Sequence, residues 1–92
     1  MEIVNDEERG RFVVDFPEGE GVLIYRLPRA GVIELFHTEV DPLLRGRGVA
    51  GMLAQHGFDV ARAKGWKVVV TCPYVKAWAK RHPEVEDLIV ER

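Results

Sequence analysis

The stretch Arg45-Gly46-Arg47-Gly48-Val49-Ala50-Gly51 decides how the rest of the chain is organised, and it combines three glycines with two arginines. It lies between a strand-like run, Val32–Val40, and a helix-like run, Val49–Lys64. A glycine-rich turn that opens a helix directs free backbone N–H groups and the positive end of the helix dipole towards an anion. Arginine adds a charged fork of donors that suits phosphate. The stretch therefore predicts a loop for a phosphate-bearing ligand, with a solvated polar turn as the alternative.

Three strand-like runs precede the loop. In Arg11–Phe16 the apolar Phe12, Val14 and Phe16 recur at every second position, which is the period of a strand. A Pro-Gly-rich break separates this run from residues 22–27, and a second one separates those from Val32–Val40. Short connections favour antiparallel neighbours, so residues 11–40 are predicted to form a three-stranded meander, and residues 3–4 a short edge strand.

The pattern becomes helical after the loop. Apolar and small residues share one face of the predicted helix up to Lys64, and Gly65 is a helix stop. Residues 66–71 form an apolar run fit for a buried strand, which implies a right-handed parallel crossover. Residues 74–81 predict a short helix with Tyr74, Ala77 and Trp78 on its packed side, and residues 85–92 are left as strand or turn. The fold class is α+β, with helices packed on a mixed sheet.

Length and composition narrow the function classes. Ninety-two residues make one domain, residues 1–92, and the net charge of -2 provides no basic surface for nucleic acid. A single cysteine and three separated histidines predict neither a disulfide nor a metal site. The acidic start lacks the features of a signal peptide, and no apolar run is long enough for a membrane span. The expected compartment is the cytoplasm, and the sequence leaves the oligomeric state open.

Gly46, Gly48 and Gly51 also match the dinucleotide fingerprint G-x-G-x-x-G. That fingerprint follows the first strand of a doubly wound sheet, whereas this loop follows an antiparallel meander. The next strand also ends without an acidic residue for a ribose, and no Gly-Lys-Ser/Thr string follows. A dinucleotide or nucleotide domain is therefore disfavoured.

Four strings in order resemble a known family. Arg45-x-x-Gly48-x-Ala50 resembles the pyrophosphate loop of the Gcn5-related N-acetyltransferases (GNAT), as does the order of strands and helices around it. The chain resembles more narrowly the very small single-domain members of that superfamily. The strings that carry this likeness are His37-Thr38-Glu39-Val40, Arg45-Gly46-Arg47-Gly48-Val49-Ala50, Cys72-Pro73-Tyr74-Val75 and Arg81-His82-Pro83-Glu84. Asp41 before the proline and Val70 before Thr71-Cys72 depart from the usual family residues.

The resemblance implies acetyl-coenzyme A as the acetyl donor. Its pyrophosphate is expected on the backbone amides from Arg45 to Ala50, namely Arg45, Gly46, Arg47, Gly48, Val49 and Ala50, with added charge from the two arginines. The pantetheine arm is expected along Glu39 and Val40, in a slot that opens between the strands at 32–40 and 67–72. The thioester would then lie near Cys72, with Tyr74 close to the cofactor as a proton donor or, alternatively, as a core residue.

Catalytic roles are less constrained by sequence. Cys72 is a candidate nucleophile or proton donor, against the commoner role of a buried small hydrophobe. His37 is the candidate base, against a hydrogen-bonded strand histidine, while His56 is assigned to the core and His82 to a helix end. Glu34, Asp59 and Arg62 are expected on the solvated surface.

Two functions remain open at this stage. The first is an N-acetyltransferase whose acceptor is an amine on a protein terminus, a lysine side chain or a polyamine. The second is a non-catalytic acetyl-coenzyme A sensor that acts with a protein partner.

Overall fold

A computed structural model describes residues 2–91 of the chain. Five strands form one sheet in the order in which they occur in the sequence: β1 Ile3–Asp6, β2 Arg11–Phe16, β3 Gly19–Arg29, β4 Val32–Val40 and β5 Lys67–Val70. The first four pair antiparallel and β5 pairs parallel with β4. The α+β class with an antiparallel meander and a parallel crossover is confirmed, and β1 extends the predicted three-stranded meander to four strands.

The crossover consists of helix α1, Val49–Lys64, whose predicted limits agree with the structure. Gly65 ends it in the left-handed conformation, and its N–H donates to carbonyls of the last turn, as a C-terminal glycine commonly does. Gly57 lets α1 approach the sheet closely, because a β-carbon there would lie 3.1 Å from a methyl group of Leu35 on β4. A short 3-10 helix, Pro42–Leu44, connects β4 to the loop.

Two boundaries differ from the predictions for local reasons. The turn between β2 and β3 needs only Pro17 and Glu18, since Phe16 already pairs with Gly19. The predicted strand at 22–27 is therefore six residues of an eleven-residue strand. The sequence left the tail as strand or turn, and the structure shows the 3-10 helix Pro83–Leu88 followed by an isolated parallel bridge between Ile89 and Val68. Arg92, the last residue of the predicted tail, lies outside the described residues.

The C-terminal helix α2, Pro73–Lys80, buries only one of the three residues predicted for its packed side, Trp78. Val75 and Trp78 are buried, whereas Tyr74 and Ala77 are exposed. The indole of Trp78 stacks on Phe58 of α1, with ring centroids 5.7 Å apart, and this contact fixes the rotation of the helix. The aromatic character of Tyr74 suggested burial, but the stacking of Trp78 leaves Tyr74 at the surface near the loop.

One hydrophobic core lies between the helices and one face of the sheet, which we call the helix face. It contains Phe12, Val14, Leu23, Leu35 and Val68 from the strands, together with the buried residues of α1 and α2. Alternate strand residues point to the other face, which we call the second face. Two of its members, Arg26 and Phe36, stack with the guanidinium carbon 3.6 Å from the ring centroid.

Candidate functional site

The loop before α1 has a backbone that only glycine adopts readily. Gly46 and Gly48 have φ angles of 83° and 75°, in the left-handed region that other residues avoid. Gly48 is the N-cap of α1 and has no side chain with which to cap the helix. The first bond of the helix runs from the N–H of Met52 to the carbonyl of Gly48, at 3.0 Å. Gly46 and Gly48 therefore take a backbone conformation that residues with a side chain resist.

Not every amide predicted for the loop is available to a ligand. The N–H of Arg45 donates to the carbonyl of Pro42 at 3.2 Å, and the N–H of Arg47 donates to Leu44 at 3.3 Å. The first N–H groups of a helix lack intrahelical acceptors, and here no side chain caps them. The N–H groups at the start of α1, those of Val49, Ala50 and Gly51, are therefore the ones without an intrahelical acceptor, and Gly51 lies outside the set of amides expected from the sequence.

A cavity of about 240 Å³ adjoins these amides. Its lining combines the end of β4, the loop and the start of both helices: Val40, Leu44, Arg45, Gly46, Gly48, Val49, Ala50, Gly51 and Tyr74. Tyr74 is 38% exposed, and its hydroxyl lies 3.4 Å from where a β-carbon on Gly51 would be. The structure thus brings Tyr74 to the rim of the loop cavity, while core packing, its alternative role, falls to Trp78.

Strands β4 and β5 separate next to this cavity. Their pairing ends at Leu35 and Val70, after which the N–H groups of Thr71 and Cys72 both donate to the carbonyl of Leu35. At Phe36 the register between β3 and β4 shifts by one residue, which is a β-bulge that bends the strand. Within residues 2–91, the edge of β4 from His37 to Val40 therefore has no β5 partner. The predicted slot along Glu39 and Val40 has a structural counterpart.

Cys72 and His37, the two candidate catalytic residues, are not brought together. The Cys72 sulfur lies 3.3 Å from the hydroxyl of Thr38 on the helix face and is 2% exposed. His37 pairs across the sheet with Ile24, on the second face, and its exposed ring contacts the carboxylate of Glu39 at 3.1 Å. Adjacent strand residues point to opposite faces, so Thr38 rather than His37 is the neighbour of Cys72.

Glu34 is a buried carboxylate that the sequence analysis placed at the surface. It was predicted at the solvated surface, but it is 2% exposed, and its carboxylate accepts a hydrogen bond of 2.7 Å from the hydroxyl of Thr71. The reason is the parallel pairing of β4 with β5, which covers a residue that the pattern of β4 alone left exposed. The signal available in sequence was a single carboxylate within the apolar run Val32-Ile33-Glu34-Leu35. Asp59 and Arg62 are exposed as expected.

A second cavity, of about 620 Å³, lies at the outer edge of β5. It is bounded by β5, helix α2 and the tail, through Val69, Val70, Thr71, Lys76, Ala79, Lys80, Pro83, Glu86, Ile89, Val90 and Glu91. Thr71 belongs both to this cavity and to the hydrogen bond with Glu34. The buried carboxylate is thus one hydroxyl group away from an open cavity beside the point where β4 and β5 part.

The other histidines serve packing. His56 meets Phe12 edge-on at 5.0 Å between ring centroids, and burial of the ring lowers its pKa below 6.5 against an opposing effect of Asp59. His82 stacks on Trp78 at 3.8 Å, and its Nδ1 lies 2.8 Å from the Trp78 carbonyl. Among residues 2–91, no three His, Cys, Asp or Glu side chains gather as metal ligands, and neither helix is long and apolar enough to cross a membrane.

Comparison with known proteins gives a consistent result. Residues 11–88 match the family model described as GCN5-related N-acetyl-transferase. Protein NATD1 of Gallus gallus is 31% identical over 85 residues, which cover 90% of this chain and 77% of that protein. The Homo sapiens NATD1 is also 31% identical over 85 residues, covering 75% of its length. A GCN5-like protein from Staphylococcus aureus solved by NMR superposes with a TM-score of 0.76 at 24% identity, covering 99% of this chain and 89% of that one, and so shares the fold.

Proposed function

The chain belongs to the GCN5-related N-acetyltransferase family, and from that premise we propose that it transfers the acetyl group of acetyl-coenzyme A to an amine. The observation that carries the proposal is the uncapped start of α1 behind two left-handed glycines, beside the gap between β4 and β5. A helix start of this kind binds phosphate, and an open strand edge binds an extended arm.

We place the acetyl donor, acetyl-coenzyme A, on the helix face. The amides of Val49, Ala50 and Gly51 hold the pyrophosphate, and Arg45 supplies charge from the cavity rim. The pantetheine arm follows Glu39 and Val40 along the open edge of β4 towards Cys72. The cavity of about 240 Å³ is smaller than the pockets that enclose whole ligands, so most of the coenzyme would lie in an open groove.

The acceptor is assigned to the second face and the β5 edge. An unprotonated amine attacks the thioester carbonyl carbon, a C–N bond forms, the C–S bond breaks and the departing thiolate takes up a proton. Glu34 is the favoured base, because its carboxylate can accept the amine proton through the Thr71 hydroxyl, which lines the cavity. His37 remains the second candidate base, since it lies on the same face.

We assign Cys72 the role of the proton donor to the departing thiolate, and its hydrogen-bond partner is Thr38. Its alternative role is that of a nucleophile which carries the acetyl group. A reactive cysteine usually sits in a partly exposed, electropositive environment, whereas Cys72 is 2% exposed in the core cluster. This burial favours the proton donor.

The openness of the acceptor side favours an amine carried by a larger molecule. The cavity of about 620 Å³ is bounded by one short helix and a tail, with lysines 76 and 80 on one wall and Glu86 and Glu91 on the other. A protein terminus, a lysine side chain or a polyamine can approach such an edge without closure of a lid.

Isothermal titration with acetyl-coenzyme A tests the first step. We expect saturable binding with one ligand per chain, and ATP and NAD at the same concentration should not compete. The lack of any heat of binding that saturates would rule out the proposed donor.

A second function, a non-catalytic sensor of acetyl-coenzyme A, is favoured by one observation: Cys72 and His37 lie apart and form no nucleophile–base pair. Incubation with labelled acetyl-coenzyme A and a panel of peptides and polyamines separates the two functions. Label transfer above the uncatalysed rate supports the enzyme. Tight binding without transfer to any amine supports the sensor, whose ligand would then be read by a protein partner.

A further inference from the structure

The turn between β2 and β3 contacts the loop at 45–51, and the two residues that meet, Glu18 and Arg47, are 29 positions apart in the sequence. Its tip residue, Glu18, places a carboxylate oxygen 3.1 Å from an Nη atom of Arg47. Both side chains remain accessible, with exposed fractions of 41% for Glu18 and 49% for Arg47. An acidic side chain is therefore paired with one of the two arginines of the loop.

The position of this turn does not depend on the ion pair. The N–H of Asp41 donates to the carbonyl of Glu20 at 3.0 Å, which ties the start of β3 to the end of β4. The Asp41 side chain lies directly over Gly19, where a β-carbon would overlap it, and its carboxylate accepts from the N–H of Leu43. The turn is thus anchored to the segment that leads into the loop, and it holds Glu18 opposite Arg47.

Glu18 carries its charge at neutral pH. The pKa of its carboxyl is lowered first by a hydrogen bond from its own backbone N–H and second by the hydrogen bond from Arg47. A carboxylate in this position competes with any other anion for the same guanidinium. It also adds a negative charge beside the loop, which opposes anionic ligands.

We propose that Glu18 determines the phosphate selectivity of the loop, because Arg47 exchanges its carboxylate for a phosphate monoester of the ligand. The proposal rests on the proposed function, since it concerns the same loop. An exposed Arg–carboxylate pair is weak and therefore replaceable. A phosphate monoester carries between one and two negative charges near neutral pH and offers three acceptor oxygens, so it is the stronger partner for a guanidinium fork. Ligands without a monoester gain nothing from Arg47 and still face Glu18.

The test compares coenzyme A with 3′-dephospho-coenzyme A, which lacks the monoester and keeps the pyrophosphate. Dissociation constants are measured by titration at low salt for the wild type, Glu18→Gln, Arg47→Gln and the double variant. Glu20→Gln is the matched control, because it removes the same charge two residues further along, at the start of β3, and leaves the backbone bond to Asp41 in place. Melting curves verify that each variant is folded.

We expect Glu18→Gln to bind coenzyme A about two- to fivefold more tightly, the range of an exposed ion pair. The gain should be clearly smaller with the dephospho ligand, smaller in Glu20→Gln, and reduced when Arg47 is also replaced. Unchanged or weaker binding of coenzyme A by Glu18→Gln, or an equal gain with both ligands, would overturn the proposal and leave the proposed function standing. No binding of either ligand by any variant would overturn the proposed function itself.

Discussion

The loop at 45–51 and the place where β4 and β5 part are built by different means. The loop consists of backbone, namely two left-handed glycines and the first amides of α1, which lie close together in sequence. The strand gap consists of side chains that meet across 34 residues for Thr38 and Cys72 and across 37 for Glu34 and Thr71. Binding by backbone needs only local sequence, whereas the transfer chemistry depends on how distant strands pair.

This difference predicts that the two regions are separable in kinetics. Substitutions in the loop should change the dissociation constant of acetyl-coenzyme A, and substitutions at the strand gap should change the rate of transfer from bound ligand. Four measurements test this separation, from the largest expected effect to the smallest.

Replacement of the buried carboxylate tests the strand gap most directly. Glu34→Gln keeps the size of the side chain and an oxygen for the Thr71 hydroxyl but removes the proton acceptor, so kcat should fall by about 10²- to 10⁴-fold. Acetyl-coenzyme A should bind within twofold of the wild type. His37→Gln is the matched comparison, and a larger loss there than in Glu34→Gln would make His37 the base.

Replacement of Gly48 tests the loop. Gly48→Val forces a β-branched residue into a left-handed conformation at the N-cap, which costs about 1–3 kcal/mol in strain. A methyl-bearing carbon would also face the phosphates, so acetyl-coenzyme A should bind at least tenfold more weakly. Gly31→Val is the control, because Gly31 has φ +76°, equal free space around it and a position in the β3–β4 turn. Both variants should lose comparable stability, and only Gly48→Val should lose affinity. Equal affinities in the two variants would contradict the loop assignment.

Two measurements test the role of Cys72, one on the Cys72→Ala variant and one on the wild type. Cys72→Ala should lower kcat by about tenfold, less than the loss of a typical general acid, because a thiolate is a good leaving group and departs with little help from a proton donor. Binding should be unchanged, and intact-protein mass spectrometry of the wild type after incubation with acetyl-coenzyme A should detect no acetyl adduct on Cys72. An acetyl adduct on Cys72 would instead assign this residue the role of nucleophile.

The smallest effect concerns α1, which connects the two regions. The pKa of His56 is lowered from 6.5 chiefly by burial of its ring, so the neutral form is favoured in the folded chain. A depressed folded-state pKa contributes stability that is complete above about pH 6.5 and is lost as the pH falls below it. From pH 7.5 to 5.5 the wild type should lose about 1–3 °C more in Tm than His56→Gln. If Tm falls equally with pH in the two proteins, His56 does not contribute to this pH dependence. The substitution should change neither the affinity for acetyl-coenzyme A nor the rate of transfer.

The sequence by itself determined the elements that follow from local rules. Alternating apolar residues predicted β2, the 3.6-residue period and Gly65 predicted α1, and Gly48 predicted the helix start at the glycine-rich loop. These features depend on backbone conformations and periods that a few neighbouring residues impose, so their prediction required no knowledge of the rest of the chain.

Only the tertiary structure decided which side chains meet. Stacking on Phe58 buried Trp78 and left Tyr74 at the loop, the parallel pairing with β5 buried Glu34, and the strand alternation separated His37 from Cys72. The Glu18–Arg47 pair likewise exists because the β2–β3 turn packs on the end of β4. Such contacts depend on register and helix rotation, which are fixed by the packing of the whole core and not by any one segment.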